Sequence, residues 1–162
     1  MPNRKLNHNG FTLIELAMTI TIIGIVAAAI SVAWPNFSIS TTAQTELLAN
    51  DIRYTQNLAM AKAERHRLVK ISANSYQITN SAGAAIILPS GSSVVIFNSG
   101  VSFGAINNLP NNLIAFDNKG IPYVDTGSPG TALGMAATIA LVGNGITKIV
   151  SIYPSTGWVT TS

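Results

Sequence analysis

The chain has 162 residues, with nine basic and six acidic side chains, two histidines and no cysteine. That length allows one long helix and one modest globular domain. The lack of cysteine excludes disulfides, thiolate nucleophiles and cysteine-based metal centres. His8 and His66 cannot form a metal cluster by themselves, so neither a metal ion nor a cofactor is expected. The formal charge of +3 names no acidic partner, because Arg4 and Lys5 lie in a short leader and without them seven basic side chains stand against six acidic ones.

The leader, residues 1–10, is polar and ends at Gly10. Phe11 to Trp34 then reads FTLIELAMTITIIGIVAAAISVAW, with Glu15 as its one charge. As a helix this run would be roughly 36 Å long, against a bilayer core of about 30 Å, so a membrane-spanning helix is expected. A secretory signal carries its small-residue cleavage site after the apolar core. Here the small residue comes first, and a cut between Gly10 and Phe11 leaves the core on the mature protein. A carboxylate within a bilayer is costly and takes a specific partner. The new α-amino group of Phe11 lies four residues from Glu15, on the same helix face, and the amino group of a neighbouring copy is the more effective partner.

Trp34 suits either a membrane interface or a packed core, and Pro35 predicts a kink. From Asn36 to about Glu64 there is no glycine or proline, and Leu47, Leu48, Ile52, Leu58, Ala59, Ala61 and Ala63 recur at helical spacing. One long helix from Phe11 to about Glu64 is expected, its first half in lipid and its second half packed on a head. It closes in a basic cluster, Lys62 to Arg67, which suits a helix C-terminus or, on a sharper reading, a phosphate-binding patch.

Beyond Arg67 the period changes to two. Strands are expected at 68–72 and 76–79, joined by a turn at 73–75. Further apolar or β-branched runs fall at 85–88, 94–97 and 113–116, and Asp117-Asn118-Lys119-Gly120 reads as a turn. Residues 103–112, with four asparagines and Pro110, read as a surface loop, as do 125–134. Strands at 136–142 and 147–153 flank Gly143-Asn144-Gly145, a hairpin signal, and a last short strand surrounds Val159. A tryptophan such as Trp158 on a closing strand is more often core than surface. The fold class is therefore α+β, a long N-terminal helix on a mostly antiparallel head of seven or eight strands. The divisions expected are 1–10 leader, 11–34 membrane helix, 35–66 amphipathic helix and 67–162 head.

Arg4, Lys5, Gly10, Phe11 and Glu15 together resemble the type III signal of the type IV pilin and type II secretion pseudopilin superfamily. The resemblance implies the pilin-like fold and cleavage between Gly10 and Phe11 by a membrane prepilin peptidase. It also implies N-methylation of Phe11 and polymerisation through the apolar helix. The Phe116-Asp117-Asn118-Lys119-Gly120 turn and the late Pro154-Ser155-Thr156-Gly157 segment are similar to the GspH/FimT branch of minor pilins and minor pseudopilins. Implied partners are other pilins or pseudopilins, an inner-membrane assembly platform and, before assembly, the lipid bilayer. The implied location is the bacterial inner membrane, single-pass with the head in the periplasm, and then a pilus or pseudopilus.

Some members of that branch implicated in DNA uptake carry glycine-arginine-x-arginine near the C-terminus. The matching stretch here, Gly157-Trp158-Val159-Thr160, has neither arginine, which removes the bidentate phosphate forks. A nucleic-acid surface would then rest on Arg65, Arg67, Lys70, Lys119 and Lys148, with Trp158 for base stacking. An enzyme is not expected. There is no phosphate-binding glycine loop, and His66 with the distant Asp117 and Asp125 makes no triad. The two functional classes left are a structural filament subunit and, as the alternative, a DNA-binding minor pilin.

Overall fold

The computed structural model describes residues 12–32, 36–89, 91–98 and 100–162, with the side chains of 28–32 and 36–39 also left aside. Two compact units divide at Pro35/Asn36. The first contains helix α1 (Leu13–Val32). The second, residues 36–162, contains helix α2 (Asn36–Lys62) and nine strands. Residues 33–35, including Trp34 and the expected kink at Pro35, lie outside the described residues.

α2 turns one stripe inward: Thr41, Thr45, Leu48, Ala49, Ile52, Thr55 and Ala59 are all buried. Their spacing of three and four is the helical repeat. The stripe differs from the one expected, because Ala61 and Ala63 are exposed and three threonines take core positions. Their hydroxyls are all bonded: Thr45 donates to the Thr41 carbonyl (2.8 Å), Thr55 to that of Asp51 (2.7 Å), and Thr41 across to that of Gly143 (3.2 Å). A buried hydroxyl costs little once it is bonded. The helix stops at Lys62, with Ala63 at φ 53° in the left-handed region that commonly ends helices. Arg65, His66 and Arg67 therefore lie beyond the helix, and only Lys62 keeps the expected place in its last turn.

The first sheet is ordered β3-β2-β1-β5-β6, from β1 (His66–Ser72), β2 (Ser75–Thr79), β3 (Val94–Ile96), β5 (Leu113–Phe116) and β6 (Pro122–Tyr123). The second is ordered β4-β7-β8-β9, from β4 (Val101–Asn107), β7 (Ala137–Gly143), β8 (Ile146–Ile152) and β9 (Val159–Thr161). Every ladder is antiparallel. The β7–β8 turn uses Asn144 (φ 52°) and Gly145 (φ 77°), the two positive dihedrals of a tight hairpin.

β4 corrects the sequence expectation of a surface loop over 103–112. Phe103 and Ile106 pack against the core, and β4 pairs with β7 through a bulge between those two residues. The asparagines that suggested a loop come later, where Asn108 (φ 61°) and Asn112 (φ 53°) turn the chain back. Residues 85–88 form only a single bridge, Thr79 with Ala85, rather than a ladder. Tyr76, Phe97 and Phe103 form an aromatic cluster with centroids 4.8–6.3 Å apart. The Phe103 amide donates to the Ala73 carbonyl (2.7 Å), tying the second sheet to the β1–β2 turn.

Candidate assembly site and the basic residues of the head

Thr12 opens α1. Its carbonyl accepts the Leu16 amide (3.1 Å), and its hydroxyl accepts the amide of Glu15 (3.3 Å). Thr12 is thus the N-cap, and Thr-x-x-Glu is the spacing of a capping box. Glu15 sits in the first turn, where the helix dipole favours an anion. Among the described residues no salt bridge involves Glu15. Its expected partner, Phe11, lies outside the described residues, as do Arg4, Lys5 and Gly10.

Over 12–27 every α1 side chain is exposed. Leu13, Ile14, Leu16, Met18, Ile20, Ile22, Ile23, Ile25 and Val26 are half to almost fully accessible. The two mid-helix threonines turn inward on their own backbone, Thr19 to the Leu16 carbonyl and Thr21 to that of Ala17, both at 2.8 Å. Such back-bonding removes the hydroxyl's need for water. A helix apolar all round is stable only when something apolar covers it. Among the described residues no helix is long and apolar enough to cross a membrane.

In the head, the two turns of the branch resemblance are structural. Asp117 Oδ1 accepts the amides of Lys119 and Ile121, both at 2.9 Å. Gln56 of α2 donates its Nε2 to the Gly120 carbonyl (2.9 Å) and the Thr156 carbonyl (2.8 Å), pinning both turns to the helix. Gly157 fits beneath: a Cβ there would lie 2.6 Å from Gln56 Nε2, 2.8 Å from a Phe116 ring carbon and 3.0 Å from the Gly120 oxygen. Gln56 was not singled out from the sequence, where a lone glutamine on a helix reads as a solvent-facing residue.

The basic residues have local duties. The Arg65 guanidinium donates to the Gly127 carbonyl and to that of Pro129 (3.0 Å), and lies 4.1 Å from the Tyr123 ring centroid. The same loop is closed by Asp125, which accepts the amides of Thr131 (2.8 Å) and Gly127 (3.1 Å). Hydrogen bonding to Thr131, helped by the Gly127 amide and the Arg65 charge, holds the Asp125 carboxyl below its usual range. Arg67 donates to the carbonyls of Asn80 (3.0 Å) and Ser81. Lys70 stands 5.3 Å from the Phe103 ring centroid, and Lys119 occupies the turn beside Asp117. Lys148 lines a small hollow with Thr45, Glu46 and Thr161, on the α2 side of the second sheet. Trp158 is 66% exposed on the other side, between the buried Gly157 and Val159, which corrects its expected place in the core.

No nucleophile–base pair is assembled among the described residues. His66 is fully buried; its Nδ1 donates to the Glu64 carbonyl (3.1 Å), and Ser81 donates to the Glu64 carboxylate (3.2 Å) rather than to the imidazole. A hollow of about 420 Å³ between α2 and β3 is lined mainly by Leu47, Leu88, Pro89 and Val94 to Ile96. It holds one carboxylate, Asp51, which accepts a 2.6 Å bond from Tyr76.

Residues 5–31 match the prokaryotic N-terminal methylation motif, the span that holds Lys5, Gly10, Phe11 and Glu15. Comparison with curated proteins finds no match. Among solved structures the chain is similar to the type IV minor pilin FimU of Pseudomonas aeruginosa, at 15% identity and a TM-score of 0.53, covering 75% of this chain and 87% of that one. It is also similar to the minor pseudopilin EpsH of the type 2 secretion system of Vibrio cholerae, at 8% identity and a TM-score of 0.55, covering 76% and 96%. Identities this low speak for the fold alone. The chain thus carries a prokaryotic N-terminal methylation motif, and its fold is similar to that of a minor pilin and a minor pseudopilin.

Proposed function

We propose that this chain is a minor pilin or minor pseudopilin, cleaved between Gly10 and Phe11 by a prepilin peptidase, N-methylated on Phe11 and built into a filament through α1. The observation that carries the reading is α1 itself: a helix exposed and apolar on every side over its described length, with one carboxylate in its first turn, inside the methylation motif. Lipid covers that surface before assembly, with the head in the periplasm, and neighbouring helices cover it afterwards. Hydrophobic burial holds the filament, while Glu15 sets register by pairing with the Phe11 amino group of the next subunit. A capped Thr12 supports this role, because it fixes where the helix begins and so where the carboxylate stands.

The test is maturation and incorporation in the native host. Glu15→Ala is expected to be processed normally but to enter the filament at less than a tenth of the wild-type level; normal incorporation would overturn the pairing. Gly10→Leu should leave unprocessed precursor, and a normal mature N-terminus by mass spectrometry would refute the cut. Protein secretion in a deletion strain then separates the two systems. Its collapse, with recovery on complementation, assigns the chain to a secretion pseudopilus, and unimpaired secretion assigns it to a pilus.

A further inference from the structure

β3 is an edge strand of the first sheet, hydrogen-bonded to β2. The Phe97 amide donates to the Asn74 carbonyl (2.8 Å), which fixes the phase of that ladder. With Val95 opposite Tyr76 and Ile96 opposite Ser75, Val95 and Phe97 turn their backbone groups toward β2, and Val94 and Ile96 turn theirs outward. Ser92 Oγ answers both outward groups of Val94, accepting its amide (3.2 Å) and donating to its carbonyl (2.7 Å). Among the described residues nothing answers the amide and carbonyl of Ile96, whose side chain is 65% exposed. Alongside lies the 420 Å³ hollow between α2 and β3, within the size range of small-ligand sites. Its walls are apolar except at Asp51. The Oδ2 of Asp51 accepts the Tyr76 hydroxyl (2.6 Å). Among the described residues its Oδ1 takes no hydrogen bond, and the carboxylate makes no salt bridge.

We infer that this groove binds an extended segment of a partner protein, which adds as a strand to β3 and sends one lysine into the hollow. An open edge recognises a strand through its main chain and draws specificity from side-chain pockets. The register says which side chain enters. Val95 lies opposite Tyr76, whose hydroxyl reaches α2 at Asp51, so Val95 faces the α2 side of the sheet. In an added strand the residue beside Val95 points the same way, into the hollow. A lysine there lays its apolar stem along Leu47, Leu88 and Pro89 and brings its ammonium to Asp51 Oδ1. A wholly apolar side chain would leave the carboxylate desolvated and unpaired, and an acidic one would repel it. Lysine also suits the site better than arginine. With Oδ2 held by Tyr76, a guanidinium fork finds one open oxygen rather than two. A bound cation offsets the cost that burial places on the Asp51 anion. Two main-chain bonds and one ion contact make a weak site. The inference stands on the groove and not on the filament role.

The experiment is fluorescence anisotropy of the full chain in detergent micelles, at neutral pH and low salt. The probe is a labelled, capped nonapeptide of alternating threonine and valine with one central lysine. It should bind saturably, with a dissociation constant below about 1 mM. Peptides with norleucine or arginine in place of the lysine should bind several-fold more weakly. Asp51→Asn should weaken the lysine peptide at least tenfold and leave the norleucine peptide unchanged. Ile96→Pro removes an outward amide without breaking a ladder bond, and should abolish binding while keeping the wild-type melting temperature. No saturable binding by about 1 mM overturns the inference, as does norleucine or arginine binding as tightly as lysine. So does either variant holding the lysine peptide as the wild type does. A chain that binds no peptide and still enters a filament overturns this inference and leaves the filament reading in place.

Discussion

The two helices solve opposite problems with similar residues. α2 buries a stripe in which threonines stand among leucine, isoleucine and alanine, and one of them, Thr41, reaches across to the Gly143 carbonyl. α1 keeps its threonine hydroxyls on its own backbone and leaves every described side chain accessible. The head thus packs α2 onto a core of its own. α1 is complete in its backbone, and its described apolar side chains, exposed along the helix, ask for an apolar environment. Substitutions should separate the two: changes in the head act on stability, and changes on α1 act on assembly.

The largest effect expected falls on Gly157. Alanine there would press on Gln56, Phe116 and the Gly120 carbonyl, and would hold a φ of 65° that side chains disfavour. Overpacking and the left-handed backbone together should cost about 3 kcal/mol, seen as a melting temperature lower by roughly 10 °C. The same change at Gly24 on α1 meets nothing within 4 Å and should leave the head's melting unchanged. A Gly157→Ala head as stable as wild type would break the contrast. Gln56→Ala should come next, at about 1–2 kcal/mol, because two turn carbonyls lose their donor.

What was legible in the sequence follows the same division. The run from Phe11 announced itself because an apolar stretch with one charge has few other readings, and Asn144-Gly145 because a tight hairpin needs two positive dihedrals. β4 was hidden because asparagine favours turns, while Phe103 and Ile106 find their ladder only by pairing with β7, a partner over thirty residues away. Gln56, Arg65 and Arg67 were equally hidden. Their bonds run to backbone carbonyls of distant loops, and a carbonyl leaves no mark in sequence. The burial of Trp158 was misjudged because one residue of register decides which face of a sheet a side chain takes.

An effect of similar size is expected at Tyr76. Its hydroxyl donates to Asp51 at 2.6 Å, in a half-buried setting beside the Phe97 ring. Burial raises the Asp51 carboxyl above its usual range, and the Tyr76 bond partly offsets that. Tyr76→Phe removes the donor and should cost about 1–2 kcal/mol at neutral pH.

The pH dependence gives the finest separation, because two carboxylates of the head pull in opposite directions. For Asp51 the folded state holds its proton more tightly than the unfolded chain does. Its ionised form therefore costs stability at neutral pH, and that cost is relieved as pH falls through its raised folded value. Tyr76→Phe should move this relief to higher pH, since the bond that favours the anion is gone, and Asp51→Asn should abolish it. Asp125 is the reverse case: its folded value is lowered, so it contributes stability above the ordinary carboxylate value of about 4 that is lost as pH falls through the lowered one. Asp125→Asn should flatten that acid loss, by a small amount because the group is exposed and screened. Melting curves of the head between about pH 3 and 7 read both slopes. If Tyr76→Phe leaves the acid limb where the wild type has it, the Asp51 bond is not what sets the carboxyl, and the hydroxyl of Tyr76 serves packing alone.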